Sequence, residues 1–275
     1  VFVPQSNQRG WSVGGGTSAW NQEVEDRIGS LFVEVSHALD AFLLANCAVV
    51  IAALIQTSTG MGFAMIAAPL LALVSISFVP GPMLFINLFL SVFMLGDGRS
   101  HVVRHEILAL GPAILVGTLI GAAILSRIPG DRLAVVFASL ILLAVAISIF
   151  AKAPPFTSRN LSICGVAVGI MGSTSGIPGA PLVIMYQNEP LEKTRPTMAL
   201  VFTFSYITSL CALAYVGVFN VRLALDGLML FPGLLIGYGF GRWARRFMTQ
   251  AVGRILMLSI ASTGSVLLIA KSVLG

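Results

Sequence analysis

Charge is what this sequence lacks. Asp, Glu, Lys and Arg make up 10% of its 275 residues, against about a quarter in an average soluble domain. Between Asp40 and Asp97 not one occurs. One bilayer span takes about 20 apolar residues, so that interval alone holds more than two. Regular apolar–polar alternation is also missing, which excludes a transmembrane β-barrel. Cysteine and histidine number three each. Cys47, Cys164 and Cys211 sit inside apolar runs at no metal-ligand spacing and read as small buried hydrophobes. No metal site and no cofactor are expected. The net charge of +5 is assigned to membrane topology, not to a nucleic-acid partner. What remains is 57% hydrophobic, with a mean hydropathy of +0.95. The sequence describes an all-α integral membrane protein whose first partner is the lipid bilayer.

Residues 1–35 stand apart. "NQRGWSVGGGTSAW" is polar and glycine-rich, a composition that does not pack a core. "NQEVEDRIGSLFVEVSHALDAF" then reads as an acidic amphipathic helix leading into the membrane, with Val24, Ile28, Leu31, Phe32 and Val35 on one side. No secretory signal pattern opens the chain and no initiator Met stands there, so the natural N-terminus is expected upstream.

About ten apolar segments follow, at 38–58, 61–79, 82–96, 106–126, 132–150, 160–175, 177–188, 196–219, 224–242 and 251–270. They divide into two sets of five, residues 36–152 and 153–275. "GPAILVGTLIGAAILSRI" from Gly111 aligns with "FPGLLIGYGFGRWARRFM" from Phe231, pairing Pro112 with Pro232, Gly117 with Gly237, Gly121 with Gly241 and, upstream, Glu106 with Asp226. "STGMGFA" from Ser58 resembles "TSGIPGA" from Thr174 in the same order within each half, which points to an internal duplication. The first two segments of each half form a hairpin that returns to the side it left, and three crossings follow. The halves are therefore expected to be inverted repeats, each opening with a Gly-rich broken or re-entrant hairpin. With that parity one face collects Arg99, Arg104, Lys152, Arg159, Lys193, Arg195, Arg242, Arg245, Arg246 and Arg254. The other receives Arg9, Arg27, Arg127, Arg132, Arg222 and Lys271 beside the acidic Glu23, Glu25, Asp26 and Glu34. The first face is read as cytoplasmic, with both termini outside.

"GSTSGIPGAPLVIMYQ", Gly172 to Gln187, lies inside a charge-free run from Asn160 to Asn188 yet is built of helix-breaking residues. Irregular backbone at membrane depth persists only when buried in protein or lining a wet cavity. Its counterpart is "QTSTGMGFAMIAAP", Gln56 to Pro69. Each places hydroxyls beside glycines: Thr57, Ser58, Thr59, Gly60 and Gly62 in one, Ser173, Thr174, Ser175, Gly176 and Gly179 in the other. Helix starts expose N–H groups and a positive dipole end, and Pro178 and Pro181 suit the first turn of a helix. Two such starts, facing each other near the bilayer middle, would surround a small anion. No basic residue is evident at that depth, so neutral donors carry the expected recognition, and a sulfite or sulfonate group suits them. Gln56 beside the break needs a partner. Asn87, Thr197, Thr203, Ser205, Tyr206, Thr208 and Ser209 are further candidate liners, although hydroxyls in membrane helices commonly bond their own helix. His101 and His105, with Arg99 and Arg104, read as a solvated loop or an anion-collecting mouth, and Glu106 and Asp226 as complements to helix dipoles.

The stretch from "GIMGSTSGIPGAPLVIMYQNEPLEKTRPTMAL" to "AYVGVF" resembles the second-repeat signature of the TauE/SafE family of sulfite and organosulfur anion exporters, and "GMGFAMIAAPLLAL" resembles the first. The likeness covers about residues 40–273. It implies a secondary transporter of small anions, such as sulfite, sulfonates or related organic acids, in a bacterial inner membrane. Candidate partners are a coupling proton or sodium ion, and a second copy of the chain in a homo-oligomer. Met61, Phe63, Pro178 and Ala180 stand where the family's turns usually run Gly-Gly-Gly, and Phe63 would narrow the site if it faces the ligand. A small-anion channel, or a non-transporting membrane sensor or assembly subunit, remains as an alternative. "GSTSG" raises an intramembrane serine protease, but His37, His101 and His105 all fall at segment ends, where none can activate a buried serine. The chain is read as not an enzyme.

Overall fold

The computed structural model describes residues 16–97, 104–128 and 154–274, with isolated positions between 136 and 147. The polar start, Arg99, His101, Arg132, Lys152 and most of the apolar segment at 132–150 lie outside them. The described residues are helical, as the sequence requires: α1 (Gly16–Thr59), α2 (Phe63–Val74), a 3-10 turn (Ile76–Phe78), α3 (Gly81–Gly96), α4 (Arg104–Leu125), α5 (Ser158–Ser175), α6 (Gly179–Tyr186), α7 (Leu191–Tyr215), α8 (Val221–Leu228), α9 (Phe231–Ala244) and α10 (Gln250–Leu274). The chain forms two compact units, Val1–Ala41 and Phe42–Gly275. In the first, α1 leaves Ile28, Val33, Val35 and Leu39 exposed. The amphipathic stretch and the first apolar segment are one unbroken helix, since no proline, glycine pair or cap separates them. The helices from α2 onward belong to the second unit.

Among the described residues four helices are long and apolar enough to cross a membrane, Arg27–Thr59, His105–Leu125, Leu191–Tyr215 and Ala251–Leu268, and α8 with α9 makes a fifth if the pair, bent by 48°, is one span. Other described apolar helices are shorter, Phe63–Val74 and Gly81–Gly96 among them. At 1.5 Å per residue, the 12 residues of α2 reach about 18 Å and the 8 of α6 about 12 Å.

Glycines interlock the helices. A Cβ on Gly117 of α4 would lie 2.1 Å from the Val166 carbonyl of α5, and one on Gly121 would meet Ile170 and Ser173; from the α5 side, Gly169 lies against Ile114 and Thr118. A second pair repeats the pattern. Gly237 of α9 is pressed on Val50 and Ala53 of α1, and Gly241 on Leu54 and Thr57. Val166 and Val50, Ile170 and Leu54, and Ser173 and Thr57 are each 116 apart, the offset that also separates Thr174 from Ser58. In each case a glycine-bearing helix packs on a helix that ends at one of the Gly-rich breaks.

The bend between α8 and α9 is held by Asn46 of α1. Its Nδ2 donates to the Met229 carbonyl (3.2 Å) and its Oδ1 accepts from the Gly233 N–H (2.8 Å), supplying partners where the helix ladder is interrupted. Asn46→Leu is expected to leave that buried N–H unpaired and to cost about 1–3 kcal/mol. Thermal unfolding in detergent should show a lower midpoint, whereas an unchanged midpoint would mean the bend holds without Asn46.

Polar contacts gather the helix ends. Arg245 after α9 bonds Thr57 of α1 and Asp97 after α3. Arg195 in the first turns of α7 bonds Ser58, and Lys193 pairs with Glu106 in the first turn of α4. At the opposite end Gly81 of α3 lies against Phe219 and Leu223, and Lys271 donates to the Leu73 carbonyl at 2.8 Å, completing the C-terminus of α2.

Candidate functional site

The first break falls between α1 and α2. Gly60 and Gly62 adopt φ of 97° and 113°, left-handed values that a side chain disfavours, so the chain reverses there without a loop. The carbonyls left unpaired at the end of α1 are met by arginine: Arg195 Nε donates to Ser58 O at 2.9 Å and Arg245 Nε to Thr57 O at 3.1 Å. Positive side chains at a helix C-terminus also complement its dipole. The expectation that no basic residue reaches the break is therefore corrected. The turn extends to the arginine-rich helix ends, and a charge-free run does not reveal what packs against it.

Gln56 has the partners its burial demands. Its Oε1 accepts from the Phe63 N–H (3.0 Å) at the start of α2, and its Nε2 donates to Asn87 Oδ1 (2.9 Å). Asn87 Nδ2 in turn donates to the Tyr206 hydroxyl (2.6 Å) of α7. All three side chains are buried, and Phe63 is fully enclosed. The chain of bonds links the first hairpin to α3 and α7.

The second break follows α5. Gly176 ends the helix with φ of 73°, and its N–H closes onto the Gly172 carbonyl. A Cβ there would strike Met83 at the start of α3. At Gly172 a Cβ would lie 3.3 Å from each of the Ser205 and Ser209 hydroxyls of α7. The two breaks thus sit at different heights. Gly60 abuts the Arg195 backbone, while Gly172 abuts Ser205 and Ser209, 10 to 14 residues along α7, or about 15–21 Å at 1.5 Å per residue. The expected arrangement, two turns facing each other around one small anion, is not the arrangement in this structure. The helices that lead into the breaks are too long to be half-helices: the 18 residues of α5 alone reach about 27 Å.

The hydroxyls divide into two groups. Ser58 donates to Leu54 O, Thr59 to either Ile55 O or Met61 O, Ser173 to Gly169 O, Thr174 to Ile170 O, Ser175 to Met171 O, Thr203 to Ala199 O and Thr208 to Phe204 O. Their protons are engaged by their own helices or turn. Thr57, Thr118, Thr197, Ser205 and Ser209 are fully buried and their hydroxyls have no partner among the described residues. Buried polar groups are nearly always hydrogen-bonded, and exceptions mark sites that take a water or ion. Thr197, Ser205 and Ser209 lie at i, i+8 and i+12 on α7, along one stripe. A Cβ on Gly179 would lie 3.6 Å from the Phe202 ring.

A cavity of about 290 Å³ opens beside the first break, lined by Thr59 and Met61, by Val183 of α6, Gln187 and Leu191, and by Gly253, Arg254 and Met257 of α10. Arg254 places a guanidinium in this wall. Sequence reasoning grouped Arg254 with Arg195 and Arg245 but did not bring it to the site, since the association requires α10 to pack on the first hairpin. The other sequence-singled groups are simply placed. His105 is exposed, and Glu106 is buried against Tyr186 and Lys193. Among the described residues no group of three or more His, Cys, Asp or Glu is arranged to hold a metal.

Residues 45–268 match the model of the sulfite exporter TauE/SafE family. No curated protein and no solved structure matches the chain. The match runs from the helix before the first break to the last span, and takes in both hairpins, the α7 stripe and the cavity: the chain belongs to the TauE/SafE sulfite exporter family.

Proposed function

We propose that the protein moves sulfite, sulfonates or related small organic anions across a bacterial inner membrane by alternating access, with each hairpin guarding one end of a path along α7. The observation that carries this reading is the row of buried, unpartnered hydroxyls at Thr197, Ser205 and Ser209, which runs between the level of the first break and that of the second. An anion with several acceptor oxygens satisfies such donors without a buried counter-charge. The 290 Å³ cavity with Arg254 is the mouth at the basic end, read as cytoplasmic, with both termini outside. Thr59 and Met61 form its inner wall, at the turn that Gly60 and Gly62 make, and Ser173, Thr174, Ser175 and Gly176 close the far end. Gln56 and Asn87 hold α2 and α3 to α7 beside the path.

An inverted repeat is the architecture this mechanism uses. The matched glycine contacts, with each half's fourth helix seated on the other half's first, support it. So does the equivalence of α4 with the bent pair α8–α9 at the offset of 120 that joins Pro112 to Pro232. Repeats interleaved in this way can rock against each other without separating.

Thermal stabilisation by a panel of sulfite, sulfonates and carboxylates tests the reading, since a ligand of the folded state raises its stability. At 100 times its dissociation constant a bound anion adds about 2.7 kcal/mol. Arg254→Gln is expected to weaken the effect about tenfold in anion concentration and to reduce its dependence on ionic strength. No stabilisation by any member of the panel would contradict the reading.

A further inference from the structure

The outer side of α9 carries a groove that shares no residue with the cavity at the first break. It holds about 520 Å³ and is lined by Leu235, Ile236, Gly239, Phe240 and Trp243, all of them exposed. Gly233, Gly237 and Gly241 face inward onto α1, but nothing lies within 4 Å of the place a Cβ on Gly239 would take. Glycine weakens a helix relative to alanine, and at Gly239 no packing contact offsets that. Its missing side chain gives the groove its depth.

A guanidinium closes one end. Arg246, in the turn that follows α9, lies 5.1 Å from the centre of the Trp243 ring and 4.7 Å from that of Phe247. The two rings meet edge to face at 5.1 Å, and all three residues are exposed. Attraction to the ring faces holds the cation on this aromatic shelf. Arg242 and Arg245 are drawn toward Asp97, whereas Arg246 is laid on the rings. Residues 231–250 contain these three arginines and no Asp or Glu. From Leu235 to Trp243 the groove follows α9 for about 12 Å at 1.5 Å per residue, against about 15 Å for the hydrocarbon of one leaflet.

We infer that this face binds an anionic phospholipid of the leaflet at the basic end, with its phosphate on Arg246 and one acyl chain in the groove over Gly239. The N–H fork of a guanidinium matches two phosphate oxygens. The rings fix that fork before the lipid arrives, so little freedom is lost on binding. Tryptophan marks the membrane–water interface, and basic residues beside it attract anionic headgroups. The rival occupant is a second copy of the chain. Two copies related by a two-fold axis along the membrane normal would set this turn opposite itself, and with it three arginines against three. The charge favours the lipid. The inference stands apart from the transport reading, since no residue of the proposed path takes part.

Fluorescence quenching by brominated lipid tests it on the full chain. With Trp11 and Trp20 changed to phenylalanine, Trp243 is the one tryptophan left. The protein is placed in phosphatidylcholine vesicles with a minor share of phosphatidylglycerol, and bromine is carried on the acyl chains of one lipid or the other. Brominated phosphatidylglycerol is expected to quench Trp243 as though enriched about fivefold over its share of the bilayer, the effect of one arginine near an anionic lipid surface. Brominated phosphatidylcholine should show no enrichment, and excess inorganic phosphate should leave the preference in place. Arg246→Gln should abolish the preference, and Gly239→Leu, which fills the groove, should lower it. Arg159→Gln removes an equal charge from an exposed position on α5 and should leave it intact. Equal quenching by the two lipids, a preference that survives Arg246→Gln or Gly239→Leu, one that Arg159→Gln lowers as much, or one that inorganic phosphate removes, overturns the inference. So does a wild type that is dimeric in lipid and falls to monomers with Gly239→Leu, which would give the groove to a second copy.

Discussion

Replacing Ser205 and Ser209 together by alanine is expected to lower anion transport about 100-fold or more while leaving the folded protein as stable as before, or slightly more so. The two halves of this expectation come from the same observation. Both hydroxyls are fully buried and unpartnered, and removing an unsatisfied buried polar group is neutral or stabilising. A structural role therefore predicts no loss of any kind. If the hydroxyls are donors to an anion, each contributes a hydrogen bond to a charged group worth about 1.5–3 kcal/mol, and 1.4 kcal/mol is a factor of ten. Transport and thermal unfolding measured on the same preparation separate the cases. A double variant of normal stability with wild-type uptake would remove α7 from the path. Thr203 and Thr208, already bonded to their own helix, serve as controls whose change to alanine should alter uptake little.

The second large effect concerns the scaffold. Gly117→Val is expected to abolish folded protein, because even its first side-chain carbon would lie 2.1 Å from the Val166 carbonyl. No rotamer relieves a clash with backbone. Overpacking a tight interface costs about 1–3 kcal/mol or more, and here two helices would have to part along their length. Gly237→Val should behave alike, since its Cβ would lie 2.5 Å from the Val50 carbonyl. Gly239, two residues on, has nothing within 4 Å, and Gly239→Ala should be harmless or add up to about 1 kcal/mol through helix propensity. Yield of monodisperse protein in detergent reads all three. Normal yield of Gly117→Val would mean that the α4–α5 contact is looser than the structure has it.

Much of this was legible in the sequence, and the boundary has physical causes. Apolar runs need only counting, so the membrane class and the span-length helices followed directly. The two breaks were marked by Gly60, Gly62 and Gly176, whose backbone angles other residues resist. Pairing Gly117 with Gly237 and Gly121 with Gly241 anticipated positions that share one kind of contact, because close helix approach admits only glycine. Which hydroxyls carry free donors was not legible. Ser58, Thr59, Ser173, Thr174 and Ser175 look the same on paper as Ser205 and Ser209, yet rotamer and local crowding decide whether a hydroxyl folds back on its own carbonyl. Arg195, Arg245 and Arg254 reach the first break through helix packing between residues far apart in the chain, which no local pattern encodes. The same holds for Glu106, read as a dipole complement until Tyr186 and Lys193 are seen around it.

Uptake of labelled sulfonate into liposomes carrying the purified wild-type protein addresses the central claim most directly. The account predicts saturable entry that competing sulfite slows and that disappears with Ser205 and Ser209 changed to alanine. Liposomes no more permeable than protein-free ones, across sulfite, sulfonates and small carboxylates alike, would contradict it.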